Sequence, residues 1–194
     1  QYVMNLLGLA DYARVEQEAG AVPAGCDGLV YLPYLGGERS PIFDPNATAV
    51  FFGMAPAHRP GHYLRAAIEG VAFALRSILD IFRARYPIPA LRVIGGGARS
   101  EVWRTVLTDA LEIETRAPAV APEDATSLGA AIAAGVGVGL FKSLEDGARA
   151  IAVSDVRPPD AKTGTQYRKA YELFVALYPA LKPLFAARAK AMSA

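Results

Sequence analysis

The stretch Leu91-Arg92-Val93-Ile94-Gly95-Gly96-Gly97-Ala98-Arg99-Ser100 constrains the fold of this chain more than any other. An apolar run that reads as a buried strand meets three glycines, and an amphipathic segment then begins that has to be a helix. Strand, glycine loop and helix in that order set bare backbone N–H groups beside a helix N-terminus. That is a physical solution for holding a phosphate or a nucleotide. The same glycines also serve an ordinary strand-to-helix turn, where they supply positive φ and tight packing without any ligand. Spacing alone does not separate the two, so the rest of the chain has to.

Composition removes several classes of partner. The chain has 194 residues, enough for one large domain, with 53% hydrophobic and 20% charged residues. A net charge of +1 gives no basic field for nucleic acid or for an anionic membrane surface. The single cysteine, Cys26, excludes an internal disulfide framework and fits a reducing compartment. No N-terminal segment has the layout of a secretory signal. The longest nearly uncharged run, Ala125 to Phe141, is short for a bilayer span and is dominated by Ala and Gly. It reads as a buried, tightly packed helix of a soluble protein. The first residues, Gln1 to Leu7, enter in mid-pattern like a helix already under way, and the expectation is a piece of a longer polypeptide.

Periodicity then divides the chain. Residues 1–18 read as one helix, Gly28–Leu35 as a strand ending at or near Pro33, and Ala49–Met54 as a second strand paired with it. A long helix follows over about 61–85. Its apolar stripe is Leu64, Ile68, Val71, Leu75, Ile78 and Phe82, and its charged face is Arg65, Glu69, Arg76, Asp80 and Arg83. Gly70 inside it predicts a close approach of helix to backbone, since a mid-helix glycine costs about 1 kcal/mol relative to alanine. Next come the strand 91–95, a helix over 100–111 and a strand at Ile113–Arg116. A small-residue helix then runs from Thr126 to about Gly137, its first turn carrying Glu123 and Asp124, and an amphipathic helix spans 165–185. The order predicts an α/β domain with a mixed sheet flanked by helices.

No self-contained catalytic constellation emerges. Gly95-x-Gly97-x-x-Ser100 approaches the dinucleotide fingerprint, with Glu112 and Glu114 near the place of a ribose-binding acid, but the third glycine is a serine. The lysine of a phosphate-binding P-loop is absent. His58 and His62 straddle Pro60 and Gly61 with no cysteine or carboxylate to complete a metal set, and they read as structural or exposed. Glu38-Arg39 reads as turn chemistry, and Glu69 with Arg65 as a surface ion pair. Cys26 has no evident partner and no G-x-S-x-G elbow occurs.

Several ordered segments resemble one family. Gly28 through Ala47, Ala49–Met54 followed after seven residues by His62–Glu69, Gly95–Ser100 with Trp103, and Ala125–Ala131 are similar to the C-terminal domain of the FGGY carbohydrate kinases. The agreement covers roughly residues 1–185, and the wording Pro33–Pro41 is most similar to the xylulokinase branch. The resemblance implies a single domain over 1–194 of the actin-like, ribonuclease H-like kind, one of two that clamp ATP and a sugar between them. It implies that Gly96 and Gly97 approach the adenosine through bare backbone, that Gly95 shapes the turn, and that Ser100 stands beside the adenine. Gln1 would be the remnant of a glutamine-bearing segment lining the same site.

The family's reaction is transfer of the ATP γ-phosphoryl group to a sugar hydroxyl, with Mg²⁺ and domain closure. The aspartate acting as general base belongs to the family's N-terminal domain, as do most sugar contacts, and a phosphate-binding Thr-Gly segment precedes Gln1. None has a counterpart in residues 1–194, so no catalytic residue is assigned. The domain alone is expected to be inactive, to bind ATP weakly, and to expose an apolar patch prone to self-association. A cytoplasmic location goes with this reading. A dinucleotide-binding domain of an oxidoreductase and an FGGY kinase of the glycerol, gluconate or ribulose type are the alternatives.

Overall fold

The computed structural model describes residues 1–121 and 124–192. The fold is assembled on one long helix, α3, Pro60–Arg83, which packs against the helix before it, the helix after it and the first of two small sheets. Pro60 at its first position has no N–H to leave unsatisfied, and the His62 ring caps the Arg59 N–H at 3.1 Å. Before α3 lie α1 (Tyr2–Leu6), α2 (Tyr12–Gly20) and an antiparallel pair, β1 (Val30–Leu32) with β2 (Val50–Phe52). The expected single helix over 1–18 is therefore two. Gly8, at φ +69, breaks the run, and Asp11 restarts it by accepting the Ala13 N–H at 2.9 Å.

After α3 come β3 (Ala90–Arg92), α4 (Glu101–Leu111) and β4 (Glu114–Pro118), then α5 (Ala125–Gly137), α6 (Leu144–Arg149), β5 (Val153–Arg157) and the long α7 (Ala161–Met192). β3 and β4 run parallel with α4 as their crossover, and β5 joins β4 antiparallel, giving the mixed sheet β3-β4-β5. Neither α6 nor β5 is foreseen from the sequence, both being short. The acidic residue expected at Glu123 lies outside the described residues, and Asp124 is the N-cap position of α5.

Gly70 shows why β1 and α3 pack so closely. A Cβ added there would stand 2.3 Å from the Tyr31 carbonyl oxygen, so the helix lies directly against the strand. The main core gathers Leu32, Phe73, Val106, Tyr167, Phe174 and Leu177 between the two sheets and α7. A second core under α1 and α2 holds Met4, Leu9, Ala19, Leu29 and Leu64.

Two expectations about faces are overturned. Of the expected stripe, α3 buries Leu64 and half-buries Ile68 and Ile78, while Val71, Leu75 and Phe82 are exposed, Phe82 at 52%. The helix also buries Ala66, Ala72 and Phe73, and with them Arg65 at 7% and Glu69 at 2%. Arg65 and Glu69 of the charged face turn inward, Arg76 and Arg83 are half-buried, and Asp80 stays exposed. Arg76 donates to the Ala110 carbonyl at 2.8 Å and lies over the Tyr171 ring, and Arg83 donates to the Leu111 and Glu112 carbonyls. α5 is the second correction. It is mostly exposed, with Gly135 its buried position among the described side chains, and it leans chiefly on α6 and Phe141. The exposed apolar residues Leu75, Phe82 and Ile94 border a groove of about 420 Å³ along β3. No helix among the described residues is long and apolar enough to cross a membrane.

Candidate functional site

The glycine loop does not pass straight from strand to helix. Gly95, at φ +87, turns the chain into a short 3₁₀ segment, Gly96–Arg99, and Ser100 then opens α4. Only glycine takes that φ without strain, so Gly95 shapes the turn. Gly97 is held by packing, since a Cβ there would meet the Trp103 indole Nε1 at 2.9 Å. Gly96 is different. Its φ is not positive and a Cβ would meet nothing within 4 Å. Nothing in the folded chain requires a glycine at that position, as is also true of Gly36, Gly129 and Gly137.

Gly96 lines a pocket of about 680 Å³ between α2 and the loop, within the size range of small-molecule sites. Tyr12, Ala13 and Glu16 form its α2 wall, and Gly96, Gly97, Arg99 and Ser100 form the other. Of the residues expected at the site, Gly96, Gly97 and Ser100 line it, while Gly95 sets the loop from behind. Gln1 reaches the rim, where its Oε1 accepts the Tyr12 hydroxyl at 2.6 Å.

Ser100 has two duties. Its Oγ accepts the Trp103 N–H at 2.9 Å, capping α4, and donates to a Glu16 carboxylate oxygen. The other Glu16 oxygen accepts the Val102 N–H at 3.0 Å. Glu16 is the residue that sequence reasoning missed. Its partners lie more than 80 positions away, and nothing local distinguishes it from Glu18, which pairs with Arg14 on the same helix.

Elsewhere the structure decides between ligand and scaffold. His58 accepts the Ala55 N–H and His62 the Arg59 N–H through Nδ1, each at 3.1 Å. The neutral rings therefore carry their proton on Nε2, and His62 directs its own toward Asp27 at 3.2 Å. Both are structural, as the sequence indicates. Among the described residues, no three of His, Cys, Asp and Glu gather so as to hold a metal ion.

Glu69 and Arg65 are not the surface pair expected. Arg65 Nε donates to Glu69 at 2.9 Å, while its other nitrogens reach the Tyr167 hydroxyl at 2.8 Å and the Ala19 carbonyl at 3.3 Å. Glu69 also accepts the Gly25 N–H at 3.2 Å. Burial works against the Arg65 charge, but Tyr167 and Glu69 more than offset it and hold its pKa above the usual value. Burial pushes the Glu69 carboxyl up, opposed by Arg65 and by the Gly25 N–H. Burial first, and then the neighbouring Glu69, push the Cys26 thiol up, which makes it a poor nucleophile. This network knits α2, α3 and α7 together and lies apart from the pocket.

Fold and pocket define an α/β domain of the actin-like, ribonuclease H-like class. The pattern of the FGGY family of carbohydrate kinases, C-terminal domain, matches residues 8–138, and the chain belongs to that family. It is 34% identical over 175 residues to a xylulose kinase of Bacillus subtilis strain 168, covering 89% of this chain and 35% of that one. It is 33% identical over 180 residues to a gluconokinase of Bacillus licheniformis, covering 91% and 34%. The crystal structure of xylulose kinase from Rhodospirillum rubrum superposes with a TM-score of 0.80 at 31% identity, covering 95% of this chain and 37% of that one. The chain thus spans about a third of the length of these relatives. Family membership, with the antiparallel β5, displaces the dinucleotide-binding alternative.

Proposed function

We propose that this chain is the ATP-binding lobe of a sugar kinase of the xylulokinase type, which converts ATP and D-xylulose to ADP and D-xylulose 5-phosphate. The observation that carries the reading is the pocket of about 680 Å³ that Gly96, Gly97 and Ser100 line against α2. A side chain at Gly96 would stand in that open space, which bare backbone leaves to a ligand. Gly96 and Gly97 offer backbone to the adenosine, Gly95 holds the turn, and Ser100 stands at the adenine side. ATP is the phosphoryl donor, and Mg²⁺ enters as the companion of its phosphates. The residues described here gather no cation site of their own. This chain covers 35% of the length of the Bacillus subtilis xylulose kinase, and we assign the sugar site and its general base to the remainder of such a protein. A cytoplasmic location, where ATP is available, goes with this reading.

Catalysis of phosphoryl transfer is mostly positioning and charge neutralisation, so one wall of a cleft gives essentially none of it. The purified 194-residue chain should be stabilised against heat by ATP and not by NAD, because a ligand stabilises only the fold it binds. It should yield no xylulose-dependent ADP. Gly96→Ala should leave the melting temperature of the free chain within a degree or two, yet weaken ATP binding by about tenfold, the equivalent of about 1.4 kcal/mol. Unchanged ATP binding by that variant would remove the assignment of the pocket. Xylulose-dependent ADP from the chain alone would remove the assignment of the catalytic groups to another domain.

A further inference from the structure

The pocket's carboxylate belongs to Glu16, and it reaches from α2 to the first turn of α4. One oxygen accepts the Ser100 hydroxyl, the other accepts the Val102 N–H, and Ser100 in turn accepts the Trp103 N–H. A helix leaves its first N–H groups without intrahelical partners, and they sit at the positive end of its dipole. A bound phosphate uses those same donors and that same end. In α4 two of them are already taken by this chain's own acceptors, and one acceptor is a full negative charge.

The remaining walls suit a different chemistry. The Tyr12 ring, Ala13 and the backbone of Gly96 and Gly97 form surfaces for a flat, uncharged body, and spare lone pairs on Glu16 can accept from hydroxyl or amine donors. Arg99 brings a positive charge to the same cavity, but from the loop, so anions are turned away at the α4 terminus and not from the cavity as a whole.

We propose that Glu16 is a positioning residue that sets the polarity of nucleotide binding. It closes the α4 N-terminus to phosphate, so the nucleoside lies against Gly96–Ser100 and the phosphates point away from α4. The inference rests on the nucleotide reading above and adds to it the group that orients the ligand.

Amide NMR of the nitrogen-labelled 194-residue chain tests it with two separate probes, adenosine and inorganic phosphate. In the unaltered chain adenosine should move the Gly96, Gly97 and Ser100 signals, while phosphate leaves Val102 and Trp103 unmoved. Glu16→Ala removes both the charge and the acceptor that holds the Val102 N–H, and it should bring phosphate onto Val102 with about tenfold stronger binding, as loss of a like charge at contact range implies. A merely structural role would broaden signals along α2 and α4 without any gain in phosphate binding, and that result overturns the proposal. So does phosphate reaching Val102 and Trp103 in the unaltered chain, a measurement that needs no variant. Adenosine that moves none of the loop signals, with phosphate behaving as expected, overturns the nucleotide reading alone.

Discussion

Gly70 and Gly96 are both glycines without positive φ, and they stand in opposite surroundings. At Gly70 the Tyr31 carbonyl occupies the place of a side chain; at Gly96 nothing in the protein does. Alanine is the better helix former by about 1 kcal/mol. Even so, Gly70→Ala should destabilise by about 2–3 kcal/mol, because β1 and α3 must separate to admit a methyl group. Urea unfolding of the variant checks this, and a neutral result would mean that the strand yields freely. The close approach at Gly70 is legible in the sequence, since glycine in a good helix needs a reason. Glu16 is not, because its meaning lies in a contact across more than 80 residues.

Among the elements, α3 teaches most about what a sequence conceals. Its hydrophobic stripe and its charged face are both plain in the sequence, yet the helix also buries Arg65 and Glu69 from the charged one. Hydrophobicity ranks residues one at a time, whereas Arg65 and Glu69 enter the core as a pair, with Tyr167, Gly25 and Ala19 completing their hydrogen bonds. Removing one member leaves an uncompensated buried charge, so Arg65→Met and Glu69→Leu should each cost about 3–5 kcal/mol. The double replacement should recover most of that loss, because buried pairs exchange for apolar residues at little net cost. A double-mutant cycle in urea measures the coupling, and additive losses would show that the two side chains act independently. By contrast α4 and α7 follow their sequence periodicity closely, with Val106, Leu107, Phe174 and Leu177 buried as read.

At the scale of the molecule, the core holds several tyrosine hydroxyls and the single thiol, all kept protonated by burial. Burial, and then Glu38, push Tyr34 from 10.0 to about 12, and burial pushes Tyr167 and Cys26 upward as well. A raised folded value means that the folded state holds its proton more tightly than the unfolded chain. The contribution of Tyr34 is therefore whole below pH 10.0 and lost as the pH climbs to about 12. Alkaline unfolding should set in across that window, with tyrosinate absorbance rising together with loss of helix in circular dichroism. Tyr34→Phe should make the dependence shallower. The order of elements, the mixed sheet and the glycine loop can be read from the chain. The second wall of the pocket cannot, because α2 supplies it from a helix that sequence alone joins to α1.

The ends of α4 are held very differently from those of most surface helices. Glu16 and Ser100 fasten the first turn, and at the other end Arg76 and Arg83 grip the Ala110, Leu111 and Glu112 carbonyls while Arg76 and Arg168 pair with the Glu112 carboxylate. Helix termini ordinarily fray, and their amides exchange hydrogen quickly. Those of α4 should exchange slowly from Arg104 through Glu112, while Gly96 and Gly97 next door exchange fast, as mass spectrometry of deuterated peptides would resolve. The pocket would then have one stationary jaw and one that gives. A ligand entering the pocket should therefore shift the Gly96 and Gly97 amide signals and leave those of α4 in place.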